Sequence, residues 1–448
     1  DISKLLFASI TDDKLDEFKK IVKEYNINIE NHLIHGKYTP LIMAVLCNHN
    51  PSHVFDYLIE TGVNVEVKDK YGTSALFHSV LKNNFYMMMK LIESKADINF
   101  ERKMGENDTM SILYQALLKT NVKMAEELIK RGVNVNTHYR GMTPVHLAIR
   151  NNSTRLLKML LEANAPCNEV SHVTKKRPSH EALLKNNTIY LELLLEKGIP
   201  VTDLLALATQ KIKRKNTHTC IDLLLKHPDI NVNESFNDMA PIHGAATQND
   251  PLLIQQLLEL GAEINKKTSK SETALIIATR LQHEPCVKML LKHSADTNAQ
   301  YESGWTALHS ASVLPSSNIL LLLLNAKADP NIPLHTDRRC PIHCASRHGA
   351  EENTRILLQH KANINLKTSH HETPLHFWAS KNNAKMVRYL LDQGANIDDS
   401  TIQGFTPLLN AAKSGRTHTM YELIKSNCNI NSISNERKNA LHYILNKL

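Results

Sequence analysis

The amino-acid sequence predicts an all-α solenoid of about thirteen helix–turn–helix units joined by β-hairpin-like fingers. The main observation is a recurring tetrapeptide, for example Thr-Pro-Val-His at residues 143–146 and Thr-Pro-Leu-His at residues 373–376. Full or weaker copies begin at residues 39, 74, 111, 143, 177, 203, 240, 273, 306, 340, 373, 406 and 439. From residue 203 onward, successive copies are 33 to 37 residues apart. A period of this length is typical of units that bury their apolar faces only by stacking on one another.

Each copy also contains the residues that a short helix pair needs. Proline in the first helical turn costs no hydrogen bond, because the N–H that it lacks would have no partner there. The preceding Thr is suited to cap that turn, and the His is suited to connect neighbouring turns. An aliphatic pair follows in each unit, such as Leu290-Leu291 or Leu390-Leu391. These residues at helical spacing predict one buried stripe for each helix.

With its T-P-L-H-x-A motif and 33-residue period, the sequence resembles the ankyrin-repeat family over essentially its whole length. Residues 1–35 match as a degenerate first unit. The repeat at residue 177 is followed by the next after only 26 residues, and a longer inter-helix turn comes next. We therefore expect irregular repeats over residues 1–202 and regular ones over residues 203–448, with the last repeat truncated. The irregularity near residues 196–220 has two possible interpretations: a kink in the stack, or a deletion that a nearby insertion offsets.

Asparagine replaces the glycine that ankyrin repeats usually have between their two helices. Only 14 glycines occur, and Asn pairs begin at residues 83, 151, 186 and 382, eight or nine residues after a repeat starts. Asn tolerates the left-handed conformation better than other residues with a side chain. We expect these residues to form the turns.

Composition limits the classes of function. The formal net charge of +8 is spread along the 448 residues, which allows an acidic partner, whereas we do not expect nucleic acid to be one. Seven scattered cysteines favour a reducing compartment, so we expect a cytoplasmic location, with the nucleus also open. No apolar run is long enough for a membrane span. Both ends of the chain lie within helical patterns, so we expect a fragment of a longer protein.

We find no catalytic motif and expect no enzyme activity, no metal and no cofactor. The segment His-Glu-Thr-Pro-Leu-His at residues 371–376 has the wrong spacing for a zinc-protease helix, since its histidines are five residues apart. Cys340, His343 and Cys344 are close in sequence, but His343 is the repeat histidine and no second ligand pair follows. We expect two buried or half-buried thiols there.

The first candidate binding feature is a basic ladder, a set of lysines and arginines seven or eight residues after the repeat starts. Its members are Lys82, Lys119, Arg150, Lys185, Lys211, Arg280, Arg347, Lys381 and Lys413. The family resemblance implies that these residues line the concave face of the stack. Ankyrin repeats often have a basic residue here, so part of this pattern is a family habit. The rest favours a partner with an acidic or extended surface.

The second candidate feature is a set of aromatic and basic residues in the fingers, because such side chains dominate binding energy at interfaces. The set comprises Tyr71, Tyr139, Arg140, Tyr301, Trp305, Arg338, Arg339, His370, His371 and Phe405. Trp305 and Phe405 have the alternative of packing against the adjoining finger. Two basic clusters, at residues 175–177 and 211–215, are candidates for a nuclear-import patch or an acidic-partner site, with a solvated edge as the alternative.

The resemblance implies a scaffold or adaptor that holds a partner protein along its concave face. The Asn-, Lys- and His-rich style is similar to ankyrin effectors of large DNA viruses, intracellular bacteria or their hosts, which implies the host-cell cytosol. The alternative is the ankyrin region of a larger toxin, channel or enzyme whose active part lies outside this chain. A third hypothesis makes the chain a substrate for hydroxylation at Asn136, Asn298 or Asn331, which resemble modified asparagines of the family. The oligomeric state is open.

Overall fold

The computed structural model describes residues 2–105, 108–212 and 219–445 of the chain. Within these ranges 27 α-helices form thirteen antiparallel-type pairs followed by one further helix. The first, or inner, helices are α1 (Ile2–Thr11), α3 (Pro40–Cys47), α5 (Ala75–Leu81), α7 (Ile112–Leu118), α9 (Pro144–Arg150), α11 (Pro178–Leu184), α13 (Leu204–Lys211), α15 (Pro241–Gln248), α17 (Ala274–Arg280), α19 (Ala307–Ser312), α21 (Pro341–His348), α23 (Pro374–Ala379), α25 (Pro407–Ser414) and α27 (Ala440–Leu445). The second, or outer, helices are α2 (Leu15–Glu24), α4 (His53–Glu60), α6 (Phe85–Glu93), α8 (Val122–Lys130), α10 (Thr154–Glu162), α12 (Thr188–Leu195), α14 (Cys220–Leu225), α16 (Pro251–Glu259), α18 (Glu284–Lys292), α20 (Asn318–Asn325), α22 (Glu351–Gln359), α24 (Ala384–Asp392) and α26 (Thr417–Lys425). The predicted all-α solenoid is confirmed.

The chain divides into two compact units. The N-terminal unit comprises residues 1–204 and 216–228, and the C-terminal unit comprises residues 205–215 and 229–448. The division falls inside the irregular repeat that begins at Asp203, so that α13 groups with the C-terminal unit and α14 with the N-terminal unit. The linker between α12 and α13, residues 196–203, is the short segment where the sequence lacks a full finger.

Within each unit, and leaving α13 aside, the inner helices pack on the outer helix of their own repeat and on the next inner helix of that unit. Helix α21, for example, contacts α22 and α23. The aliphatic pairs are on the buried side of the outer helices: Leu290 and Leu390 are fully buried, while Leu291 and Leu391 are half-buried. One residue of each pair therefore fills the space between helices, as the periodicity predicts.

The fingers that join the repeats are short turns with little regular strand. The strands β1 (Glu101–Lys103) and β2 (Thr109–Ser111) form an antiparallel hairpin in which Arg102 pairs with Met110. Elsewhere the β-structure consists of single bridges, such as Lys68 with Ser74. Some adjacent finger tips are bonded through the backbone: Lys70 N–H donates to the carbonyl of Lys37 (2.9 Å) and Ser369 N–H to that of Asp337 (2.8 Å). Fingers of neighbouring repeats thus lie side by side within each unit.

The repeat histidine joins three parts of the fold. In the repeat at Thr373, the Thr373 backbone N–H donates to His376 Nδ1 (3.1 Å). Because Nδ1 accepts, Nε2 carries the hydrogen, and it donates to the carbonyl of Phe405 in the next finger (3.0 Å). The same pair of bonds is made by His146, His243, His309 and His343. The histidine therefore closes the helix start and connects successive repeats.

The asparagine pairs form turns, as predicted, and at residues 83–84 and 186–187 each residue of the pair has its own task. At residues 151–152 it is Asn152 that is left-handed (φ +55°), and Ser153 caps the outer helix. Asn83 (φ +61°) and Asn186 (φ +48°) adopt the left-handed conformation. The next residue caps the outer helix, so Asn84 Oδ1 accepts from Met87 N–H (3.0 Å). At residues 382–383 only the second task is confirmed: Asn383 caps α24, whereas Asn382 does not have a positive φ.

Candidate partner-binding groove

All nine residues of the basic ladder lie within the last turn of an inner helix or one or two residues after it. Arg150, Lys211 and Arg280 are the last residues of α9, α13 and α17. Every member is exposed except Lys381, which is half-buried. A cation at a helix C-terminus is stabilised by the helix dipole, so the position alone has a structural explanation. The residues around each cation therefore decide whether its charge is free to bind a partner.

Two arginines of the ladder are already neutralised by carboxylates. Arg280 Nη2 lies 2.8 Å from Glu272 Oε1, in the finger that precedes its own helix. Arg150 Nε lies 3.6 Å from Glu181 Oε1, which belongs to the next repeat. Lys185 Nζ donates to the carbonyl of Arg150 (3.2 Å). These side chains are therefore engaged within the N-terminal or the C-terminal unit to which they belong.

Three consecutive cations near the end of the ladder differ. Within the described residues, no carboxylate lies within 4.0 Å of the charged groups of Arg347, Lys381 or Lys413. Arg347 and Lys381 line a cavity of about 350 Å³ together with Glu372 and Phe377. This site, unlike Arg150 and Arg280, presents positive charge that has no partner of its own.

A second cavity, of about 360 Å³, adjoins the first. It is lined by Lys413, His370, Glu372, Phe405 and Asn410, with Thr401, Ile402 and Gln403 at its side. Glu372 lines both cavities, and we call the pair the three-repeat groove. Three cations face one carboxylate in it, and two aromatic rings contribute apolar surface. Such a lining is suited to carboxylates and to polar backbone groups.

Neighbouring residues position the side chains of this groove. Asn410 Nδ2 donates to the carbonyl of His376 (3.4 Å) in the previous inner helix. Lys413 Nζ lies 4.6 Å from the centre of the Phe405 ring, a cation–π contact. The Phe377 ring packs edge-on against His343, with 6.1 Å between ring centres. Two residues of the groove, Asn410 and Phe377, therefore contact the repeat histidines that join successive repeats.

The predicted finger residues are only partly available for contact. Tyr71, Arg140, Arg338, His370 and His371 are exposed. Tyr139, Tyr301, Trp305 and Arg339 are half-buried: Tyr139 packs on Tyr114 (5.8 Å between ring centres), Trp305 on His309 (5.6 Å), and Arg339 pairs with Asp337. The prediction of an exposed Phe405 is wrong, since the residue is 5% exposed and its ring packs against Tyr443 of the last inner helix. Its partner is thus a helix of the next repeat, and packing of Phe405 against the adjoining finger stays a prediction. Phe405 also lines the second cavity of the groove.

Sequence analysis missed Glu372, Phe377 and Asn410 as residues of the groove. Glu372 is the last finger residue before the N-cap Thr373, and Asn410 is four residues after the N-cap Thr406. A search of each repeat for polar residues at these two positions, in addition to the ladder position, would find Glu372 and Asn410.

The remaining candidates have structural explanations or stay untested. Cys340 and Cys344 are buried free thiols, as predicted, and burial raises the pKa of Cys340 to about 12 and that of Cys344 to about 11. In the part of the chain that the structure describes, no three His, Cys, Asp or Glu residues converge on a metal site. In those same ranges no helix is long and apolar enough to cross a membrane.

Two predicted sequence features are resolved in part. Asn298 Oδ1 accepts from Asp329 N–H (2.9 Å) and Asn331 Oδ1 from Asn363 N–H (2.8 Å), so both asparagines connect successive repeats. Their hydroxylation, and that of Asn136, stays a prediction. In the first basic cluster Lys175 and Lys176 are exposed on a finger. Residues 213–215 of the second cluster lie outside the described residues.

Helix pairs joined by fingers, with a groove on the inner-helix side, define a class of repeat protein that generally mediates protein–protein interaction. Family models described as ankyrin repeats match residues 5–102, 82–171, 113–204, 205–301, 242–333, 332–401 and 378–425. The chain belongs to the ankyrin-repeat family.

Known relatives share single stretches of the chain. An ankyrin repeat protein of fowlpox virus is 36% identical over 132 residues, 29% of this chain and 38% of that protein. The human ankyrin repeat and SOCS box protein 16 is 29% identical over 136 residues, 30% of each chain. The chain thus spans well under half the length of both relatives. The solved human ASB11 ankyrin repeat domain has 27% identity, a TM-score of 0.41, and covers 47% of this chain and 98% of its own.

Proposed function

We propose that this protein is an interaction module that holds an acidic, extended segment of a partner protein in the three-repeat groove. The observation that supports this most strongly is the uncompensated charge of Arg347, Lys381 and Lys413 in two adjoining cavities. Ankyrin repeats are generally protein-binding modules, which supports a protein as the partner. Complementary charge gives such a contact its orientation and its rate of association.

The arrangement of the groove favours an extended segment over a folded domain. The three cations belong to three successive repeats, and the two cavities are joined at Glu372. A chain that contacts all three repeats must lie along them. One acidic side chain of the segment then faces Arg347 and Lys381, and a second faces Lys413 and His370. A polar or basic residue between these two faces Glu372. Phe377 and Phe405 offer apolar contact to the same segment.

A binding assay with charge reversal tests this proposal. The probe is a labelled, unstructured peptide of about sixteen residues rich in Asp and Glu, with an Asn/Gln peptide of the same pattern as its counterpart. We expect Arg347→Glu, Lys381→Glu and Lys413→Glu each to weaken binding of the acidic peptide about tenfold or more, because each places a like charge opposite the ligand. The measurement is fluorescence anisotropy on the full chain.

Arg280→Glu is the matched control, since Arg280 is a ladder arginine that Glu272 already neutralises (2.8 Å). We expect it to change affinity about threefold or less. Equal losses from Arg280→Glu and Arg347→Glu would show a diffuse charge effect and contradict the groove. Binding of the Asn/Gln peptide as tight as that of the acidic one would contradict the charge argument.

We also propose a scaffold or effector role in the cytosol of a cell. The identity of 36% to a fowlpox virus ankyrin repeat protein supports it, because it relates 132 residues of this chain to a viral relative. Expression of the tagged chain in cultured animal cells, with fractionation and cross-linking to acidic cytosolic proteins, tests the location. Recovery of the chain only from membranes or the nucleus would contradict it.

A further inference from the structure

The finger row of the N-terminal unit has a different charge from that of the C-terminal unit. We compare the residues that directly precede each inner helix. In the N-terminal unit these are residues 33–38, 68–73, 101–110, 137–142 and 171–176, which contain eight Lys and Arg and four Asp and Glu. In the C-terminal unit they are residues 234–239, 267–272, 300–305, 334–339, 367–372, 400–405 and 433–438, which contain seven of each. The overall net charge conceals this contrast.

The described acidic groups of the N-terminal row pair with one of its cations, Arg140. Asp69 is buried, accepts from the N–H groups of Tyr71 and Thr73 (both 2.8 Å), and lies 2.7 Å from His78 Nε2. Asp108 lies 3.8 Å from Arg140, and Glu101 accepts from the Thr109 hydroxyl. The lysines of the row, by contrast, are exposed.

Two adjacent fingers present the same dipeptide side by side. The N–H of Lys70 donates to the carbonyl of Lys37 (2.9 Å). The rings of Tyr38 and Tyr71 are 6.4 Å apart at 48°, and Tyr71 is 56% exposed. An exposed aromatic ring thus lies where two lysine-containing fingers are bonded together.

We propose that the N-terminal finger row binds single-stranded nucleic acid. Sequence-tolerant binders of single strands combine a positive surface that follows the phosphates with aromatic rings on which bases stack. Lys37 and Lys70 supply the charge, and Tyr71 supplies the ring. Lys68 is also exposed, and its Nζ lies 5.0 Å from the centre of the Phe100 ring. An acidic protein surface would use the lysines but would leave the ring with little to stack on. This surface is separate from the three-repeat groove, whose residues all belong to the C-terminal unit.

The test is fluorescence anisotropy of a labelled twenty-nucleotide oligothymidylate with the full chain at about 50 mM salt. Lys37→Ala/Lys70→Ala is expected to weaken binding fivefold or more. It should also reduce the slope of log affinity against log salt by about 1.4, because each lost phosphate contact removes about 0.7 for single strands. Tyr71→Ala is expected to weaken binding about tenfold with an unchanged salt slope, and Tyr71→Phe to retain binding within about twofold. A duplex of equal length should bind less tightly, since its bases are stacked.

Lys267→Ala/Lys270→Ala, which removes two lysines from one finger of the C-terminal row, is the matched control and should leave binding unchanged. If it weakened binding as much as Lys37→Ala/Lys70→Ala does, the proposal would be overturned, because any exposed lysine would then contribute equally. Polyglutamate provides the second arm: if it competes as well as the oligonucleotide and Tyr71→Ala has no effect, the surface fits an acidic protein and the proposal is wrong. Absence of binding to the oligonucleotide also overturns it. All these side chains are on the surface, and thermal unfolding of each variant verifies its fold.

Discussion

In the C-terminal unit, His243, His309, His343 and His376 each bond the start of their own helix and the next finger. In the described part of the N-terminal unit, His146 makes both of these bonds and His180, at the same repeat position, lies 3.2 Å from Asp203 Oδ1. The equivalent positions of three earlier repeats hold Ile42, Phe77 and Tyr114. These three side chains are buried, while Thr39, Ser74 and Ser111 cap the helices through their hydroxyls. One position in the repeat is therefore filled either by a polar connection between repeats or by apolar packing. The stack tolerates both, but only the first depends on a group that titrates.

The largest expected difference between the units is their response to acid. Burial lowers the pKa of His309, His343 and His376 to about 4, below the value of about 6.5 in an unfolded chain. The unfolded state therefore binds more protons between these values. Stability supplied by the neutral histidines is complete above pH 6.5 and is lost as the pH falls toward 4. From pH 7 to pH 5 each of these three histidines should cost about 2 kcal/mol, so we expect the C-terminal unit to lose about 5 kcal/mol.

Tryptophan fluorescence makes this measurable, because both tryptophans, Trp305 and Trp378, belong to the C-terminal unit. Urea unfolding followed by this signal at pH 7 and pH 5 gives the change for that unit. Circular dichroism detects the unfolding of both units. The transition that it shows without an accompanying change in tryptophan fluorescence belongs to the N-terminal unit, and its urea midpoint should shift much less with pH. If the tryptophan-detected midpoint does not move with pH, the histidines are not held neutral by burial.

The next effect concerns a single histidine connection. His343→Ala removes the acceptor for Cys340 N–H and the donor for the carbonyl of Leu366, leaving two buried polar groups without their partner. We expect a loss of about 3 kcal/mol in the tryptophan-detected free energy of unfolding at pH 7. The variant should also lose less stability than the native chain on going to pH 5, since one titrating group is gone.

His442 provides the control for this substitution. It occupies the same position in the last repeat and accepts from Asn439 N–H (3.3 Å), but it is exposed. His442→Ala should cost about 0.5 kcal/mol or less, because water replaces the lost bond. Equal losses at His343 and His442 would mean that burial does not decide the contribution of this residue.

The same contrast shows what sequence alone can predict. The period, the capping residues and the aliphatic pairs were predictable because each depends on residues within one turn or one repeat. The neutralisation of Arg150 by Glu181 was not, since it joins residues 31 apart whose side chains meet only in the stacked repeats. The burial of Phe405 depends on Tyr443 in the following repeat in the same way. The repeat pattern thus predicts the scaffold well, and it predicts poorly which of its surface charges are free.

The smallest expected effect tests how the units form the turn between helices. Asn186 of the N-terminal unit (φ +48°) also accepts at Oδ1 from Cys220 N–H (3.2 Å). The C-terminal unit uses both Asn249 (φ +58°) and Gly349 (φ +79°) in such turns, and Gly349 is the one compared with Asn186. Gly349→Asn should change the free energy of unfolding by about 0.5 kcal/mol or less, because Asn tolerates this conformation and a Cβ there meets only the flexible Lys381 side chain at 3.5 Å. Gly349→Val should cost about 1 kcal/mol more, since a β-branched residue does not tolerate the left-handed conformation.

The reciprocal substitution is not expected to be neutral. Asn186→Gly keeps the turn but removes the bond to Cys220 N–H, so it should cost about 1 kcal/mol. Urea unfolding followed by circular dichroism measures this loss, since the residue lies in the unit without a tryptophan. If Asn186→Gly is neutral, asparagine is only a substitute for glycine. If it costs stability as expected, asparagine gives the N-terminal unit a connection between repeats that glycine cannot provide, in the unit where histidine connections are fewer.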